Sequence, residues 1–204
     1  MIAVLDYGLG NVGSILNMLK HVGEKDAFCA RSQEEIEKAD KYILPGVGNF
    51  DAGMRLLNKS GLREVLDEEI KVKRKPILGI CLGMQMLGNG SEEGNEKGLG
   101  YIDFSCKKIC TNDDKFKVPH MGWDYVDFNQ RNNVLLPYSE VKKRFYFVHS
   151  YYAVCSNVDD IWLTCDYGER IVAAVHNDNV YGTQFHPEKS HKFGIEIFEN
   201  FVRM

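Results

Sequence analysis

Apolar positions follow two rhythms along the chain. In the first half, short solid apolar runs alternate with stretches where apolar residues recur every three or four positions. Ile2–Leu5, Asp26–Ala30, Lys41–Leu44 and Ile77–Ile80 read as strands. Val12, Ile15, Leu16 and Leu19 share one helical face, which Asn11 can cap and Gly23 can end. Ser32 and Glu35 spell a capping box for a short helix. Further helical patterns surround Met54–Leu57 and Leu62–Ile70, and helical spacing resumes after Gly83. Strands alternating with helices predict a parallel, doubly wound sheet. Ligands in such sheets lie at the carboxyl ends of the strands, here the turns at Tyr7–Asn11, Pro45–Gly48 and Cys81.

Beyond a polar, glycine-rich loop at Asn89–Gly100, short strands follow one another. They are predicted at Phe104–Cys110, Tyr125–Phe128, Arg144–Ser150, Trp162–Tyr167, Ile171–His176 and Val180–Phe185. His176–Asn179 is read as a hairpin turn. Phe193, Ile197 and Phe201, four apart, place a closing helix over Lys192–Met204. No repeat or low-complexity tract interrupts the pattern, and one domain over 1–204 is expected.

Composition narrows the classes. Net charge is −4, with 26% charged and 44% hydrophobic residues, ordinary for a soluble globular protein. The lysines are scattered, and the basic run Lys71–Arg74 closes a helical segment, so nucleic acid is not indicated. The start lacks the basic region of a signal peptide, and no apolar run reaches membrane-span length. Six cysteines without a CxxC pair are read as reduced thiols of the cytoplasm. No metal is expected, since the histidines lack ligand spacing.

The chemistry gathers at Gly79-Ile80-Cys81-Leu82-Gly83, a strand passing through a tight turn into a helix. Flanking glycines allow a nucleophile elbow, and a helix N-terminus favours a thiolate. A buried, inert cysteine is the plainer alternative. A thiol nucleophile needs a base and a group to orient it. In Gln184-Phe185-His186-Pro187-Glu188, the two residues His186 and Glu188 can project the same way from an extended segment. A surface turn would spell the same tripeptide. Gly8 and Gly10 lack the third glycine of a dinucleotide loop. The Pro45–Gly48 loop can turn backbone N–H groups toward an anion or be a simple turn.

Taken together, Gly79–Gln85, Phe185–Glu188, Asp6–Asn11, Leu44–Gly48, Pro119–Trp123 and Tyr146–Tyr151 resemble the class I (triad) glutamine amidotransferases, over the whole chain. The resemblance implies a central, mostly parallel sheet with flanking helices and an antiparallel, strand-rich C-terminal half. It implies Cys81 as nucleophile, His186 as general base and acid, and Glu188 as the orienting carboxylate. Gly48 and Leu82 would supply the oxyanion donors. Gln85, His149, Ser150 and Tyr151 would line the L-glutamine pocket. Asn11, Trp123 and Lys189 match positions at a partner surface. Members of this kind use no cofactor and no metal.

The resemblance further implies a heterodimer with a (β/α)8 barrel cyclase, which would use the ammonia to close an imidazole ring in histidine synthesis. Relatives that supply surface-sugar amidination are the alternative. Asp124 departs from the family's usual asparagine, and His191 and Lys192 are also less typical. A cysteine hydrolase acting on another substrate and a silent regulatory subunit are the competing classes. The three candidate triad residues together argue against the second.

Overall fold

The computed structural model describes residues 1–111, 113 and 115–204. Its first half follows the predicted alternation. The strands are β1 (Ile2–Leu5), β2 (Phe28–Ala30), β3 (Lys41–Gly46) and β4 (Ile77–Cys81). The helices between them are α1 (Val12–His21), α2 (Gln33–Glu37), α3 (Phe50–Lys59) and α4 (Leu62–Asp67), the last continuing into a wider turn over Glu68–Val72. Asn11 caps α1 by accepting from Ser14 N at 3.1 Å, and Ser32 and Glu35 close the predicted capping box.

After β4 come α5 (Leu82–Met86), β5 (Gly90–Ser91), β6 (Phe104–Lys108), β7 (His120–Phe128), β8 (Lys143–His149) and β9 (Tyr151–Cys155). β10 (Ile161–Asp166), β11 (Arg170–Asn177), β12 (Val180–Thr183) and α6 (His191–Arg203) complete the chain. One path of strands runs β2-β1-β3-β4-β12-β11-β10-β7-β8, with β9, β6 and β5 branching from β11. Pairing is parallel from β2 to β12 and antiparallel along the rest of that path.

The central strands are buried on both faces, which explains their unbroken apolar spelling. Ala3, Leu5, Tyr42 and Leu44 pack under α2, α3, α4 and α5 through Ile36, Met54, Leu66 and Met86. Ile2, Val4, Ile43 and Ile80 face the other way, toward α1 and α6, against Ile15, Leu19, Ile197 and Phe201. Each fully buried large side chain contributes roughly 1.5–3 kcal/mol of transfer free energy.

Three expectations change in detail. β7 begins at His120, five residues before the predicted strand at Tyr125. β9 was not predicted: only Ser150 separates it from β8, and it pairs with β6 and β11. The Asn89–Gly100 loop contains β5 and is clamped to α3. The Asp51 carboxylate accepts from Asn95 N and Glu96 N at 2.9 Å each, and Phe50 N donates to Glu93 Oε2 at 2.7 Å.

Candidate active site

The carboxyl ends of β3, β4 and β12 meet the β8–β9 junction around one cavity of about 380 Å³. Cys81 ends β4 with φ 55°, a left-handed conformation costly for a side-chain-bearing residue. The predicted elbow is therefore present, but the strain lies on Cys81 itself. The flanking glycines serve close approach: a Cβ on Gly79 would lie 2.7 Å from Gly83 O, and one on Gly83 would collide with Leu44 O. α5 has only five residues, so the predicted helix-dipole contribution at Cys81 is that of barely one turn.

The Cys81 thiol is almost covered and points to Val148 O, 3.9 Å from Sγ. Gln184, fully buried, donates from Nε2 to the same sulfur at 3.8 Å. Gln184 was not among the predicted residues. Its only sequence signal is one amide inside an otherwise apolar strand end. The Gln184 side chain is held by Gln85, whose Nε2 donates to Gln184 Oε1 at 2.9 Å and to Tyr151 O at 3.1 Å.

His186 lines the same cavity, buried, with Nδ1 2.7 Å from Glu188 Oε1. A carboxylate there selects the Nδ1–H tautomer and leaves Nε2 for the cavity side. Nε2 and the second Glu188 oxygen have no hydrogen-bond partner among the described residues. Burial disfavours the imidazolium, but the sulfur of Cys81 and the carboxylate of Glu188 outweigh it and raise the His186 pKa to about 9. The segment is fastened to β8: His186 N donates to Tyr146 O at 2.9 Å, and Tyr146 N donates to Ser190 Oγ at 3.0 Å. Ser190 Oγ–H in turn donates to His186 O at 2.6 Å.

All the predicted pocket residues reach this cavity. Gly48, with φ 96°, Leu82, Gln85, His149, Ser150 and Tyr151 line it together with Cys81. The loop leading to Gly48 is pinned by the Tyr7 hydroxyl, which donates to Pro45 O at 2.6 Å. Glu93, brought in by the clamped loop, adds a carboxylate that was not predicted.

The predicted surface residues fall near one another. Asn11 and Lys189 line a crevice with His186 and Glu188. Trp123 is partly exposed on β7 beside Met121 and Tyr125, stacked on His191 at 5.2 Å and under the Arg144 guanidinium at 5.5 Å. Lys189 Nζ lies 5.8 Å from the Tyr146 ring centre.

Behind the pocket wall, ligand-type atoms of His120, Asp124 and Cys165 come within 4.8 Å of one another, a grouping the sequence spacing does not reveal. Both His120 nitrogens already make contacts there, to His149 and Asp124 at 3.0 Å each. All six cysteines are free thiols. Among the described residues, no helix is long and apolar enough to cross a membrane.

A family model for class-I glutamine amidotransferases matches residues 3–204, and the chain belongs to that family. Within it, the chain is 57% identical over the full length of both proteins to imidazole glycerol phosphate synthase subunit HisH 2 of Pseudomonas aeruginosa. It is 50% identical to subunit HisH 2 of Methanococcus maripaludis, over 100% of this chain and 99% of the relative. Identity is 42% to subunit HisH of Leptospira interrogans, over the full length of both. Among solved structures, a glutamine amidotransferase superposes with a TM-score of 0.73 at 16% identity, over 98% of this chain and 97% of the other. PurLQS from Thermotoga maritima gives 0.74 at 18%, over 99% and 97%. These two show the same fold.

Proposed function

We propose that the protein is the glutaminase subunit of a two-chain imidazole glycerol phosphate synthase. It hydrolyses glutamine to glutamate and ammonia, and the ammonia passes to a HisF-type (β/α)8 barrel partner in the cytoplasm. The partner makes imidazole glycerol phosphate and AICAR, a step of histidine synthesis. The observation that carries the reading is Cys81 on its elbow, sharing one cavity with a His186 ring fixed by Glu188. Identity to proteins named HisH supports the pathway.

The Cys81 thiolate attacks the side-chain amide carbon of glutamine. The resulting oxyanion takes hydrogen bonds from backbone N–H groups of Leu82 and Gly48, each such donor being worth roughly 100- to 1,000-fold in rate. The His186 imidazolium gives its Nε2 proton to the departing nitrogen as the C–N bond breaks, leaving a glutamyl thioester and ammonia. His186, now neutral, takes a proton from water, which attacks the thioester and releases glutamate. Glu93 offers a carboxylate for the ammonium of the substrate. Gln184 acts as a positioning residue that steadies the sulfur.

A free ammonia molecule in water is soon protonated and loses its nucleophilicity, so an acceptor site must lie close by. The band of Met121, Trp123 and Tyr125, next to Lys189 and Asn11, is the surface a partner would cover. The decisive experiment mixes this chain with a HisF-type cyclase and measures glutamine turnover with and without the cyclase's ribonucleotide. Strong stimulation is expected. Turnover that ignores the cyclase would move the chain to another synthase, such as a surface-sugar amidating one. No turnover in any mixture would overturn the glutaminase reading.

The His186 environment sets a pH limit. A pKa raised to about 9 keeps the imidazolium available as acid below that value and removes it above. kcat/KM for glutamine is expected to fall as pH rises through about 9. Glu188→Gln removes one of the charges that raise this pKa, so the fall should begin at lower pH. The same variant should lose about 100- to 10,000-fold in rate, less than loss of the nucleophile. An unchanged alkaline limb in Glu188→Gln would refute the assigned role of Glu188.

A further inference from the structure

The ring contacts behind the pocket wall restrict where protons can sit. Tyr151 O can only accept, so its 2.8 Å contact places a proton on His149 Nδ1. Burial drives the His149 pKa down to about 3, so the ring is neutral and its Nε2 is a lone pair. That lone pair faces His120 Nδ1 at 3.0 Å, which must therefore carry a proton. His120 Nε2 then lies 3.0 Å from Asp124 Oδ2. A neutral His120 has no second N–H, and two lone pairs at that distance repel. Three contacts need three protons, while two neutral imidazoles hold two. An asparagine at position 124 could donate its amide to Nε2 and complete the set. An ionised aspartate only accepts.

We infer that Asp124 is a positioning residue for the pocket: it makes the His120–His149 pair hold a third proton, and that proton fixes His149 on the wall. The inference rests on reading the cavity as the glutamine site. Imidazole is a stronger base than carboxylate, so the third proton resides on His120.

Among the described residues, the surroundings supply no substitute for Asp124. His120 is stacked against Phe147 on β8 and Tyr167 beyond β10, at 4.6 and 3.9 Å between ring centres. Burial raises the Tyr167 phenol above its ordinary value, which keeps it neutral. Cys165 on β10 faces the same cluster, and burial pushes its thiol up to about 12, so it too is uncharged. His186, from beyond β12, acts on His149 in the direction of the neutral ring.

Burial pulls the His120 imidazolium below its ordinary value despite the opposing carboxylate of Asp124. The third proton is therefore lost as pH rises toward neutrality. Once it is lost, one of the 3.0 Å contacts sets lone pair against lone pair and opens.

The test is side-chain nitrogen NMR of the full chain from acid to mildly alkaline pH, beside the KM and kcat for glutamine of its mixture with the HisF-type cyclase over the same range. At the acid end, His120 is expected to carry protons on both nitrogens and His149 on Nδ1 alone. With rising pH, His120 should lose one proton and the His149 signals should move with the same midpoint. KM should rise about three- to tenfold over that step, the worth of one hydrogen bond, with kcat changing less. In Asp124→Asn, His120 should hold one proton throughout, and both the midpoint and the KM step should vanish.

A singly protonated His120 at the acid end, or the same titration in Asp124→Asn, would overturn the proton count. A titration without any KM step would overturn the positioning role. A chain that titrates as expected yet turns over no glutamine, alone or with the cyclase, would leave the proton count standing and remove the glutamine reading alone.

Discussion

Cys81→Ala should abolish ammonia release from glutamine, lowering turnover by about 10⁴-fold or more, while leaving the fold and the partner surface intact. The size follows from what the variant removes. His186, Glu188, Leu82 and Gly48 stay in place, but no atom remains to form the thioester. A neighbouring base and oxyanion donors recover only a small part of such a loss. The fold should survive because alanine removes one buried sulfur from a site that already holds a side chain in the left-handed region. The exposed band at Met121, Trp123 and Tyr125 does not include Cys81, so complex formation by sedimentation should be unchanged. Ammonia release within tenfold of the parent would end the nucleophile assignment. If complex formation were lost as well, the damage would be to the fold, and the conservative Cys81→Ser variant would then decide the assignment.

Gly83→Ala is expected to lower both stability and rate, through packing. Its Cβ would collide with the carbonyl oxygen of Leu44 and press on Pro45, and neither is a flexible side-chain end. A Cβ on Gly46, from the opposite side, would lie 2.7 Å from Gly83 N, so β3 and the start of α5 touch through backbone in both directions. Relieving the clash moves β3 away from Cys81 and carries the Pro45–Gly48 loop with it. The structural cost is typically about 1–3 kcal/mol for overpacking. Misplacing one oxyanion donor adds roughly 100- to 1,000-fold in rate. Urea denaturation and the single-turnover rate measure the two parts separately. Parental values for both would show that the close approach at Gly83 is not needed.

Much of this architecture is legible because the physics is local. The β1–β4 half announces itself through apolar runs, the Asn11 cap and the Ser32–Glu35 box. Cys81, His186 and Glu188 are legible because each sits in a short stretch whose neighbours restrict the backbone. What stays hidden depends on residues far apart in the chain. β9 follows β8 after a single serine, and a strand that changes partners without a glycine or proline turn leaves no mark in the sequence. His120 and His149 stand opposite each other only because of the β7–β8 register. Gln184 reads as an ordinary member of a strand end until Gln85 and Cys81 are brought beside it. Glu93 lies in a stretch that reads as a plain surface loop, and only the clamp onto α3 turns it toward the cavity.

The fastening of the His186 segment has a consequence for solubility as well as for rate. β8 is the last strand of its sheet path, and a free edge offers unpaired backbone groups to any passing chain. Here Tyr146 spends its outward N–H and carbonyl on Ser190 and His186. The segment that carries His186 thus also covers the rim at Tyr146. Loosening it would unmask a sticky border in the same event that slows the chemistry, so selection for an active chain also favours one that stays dispersed.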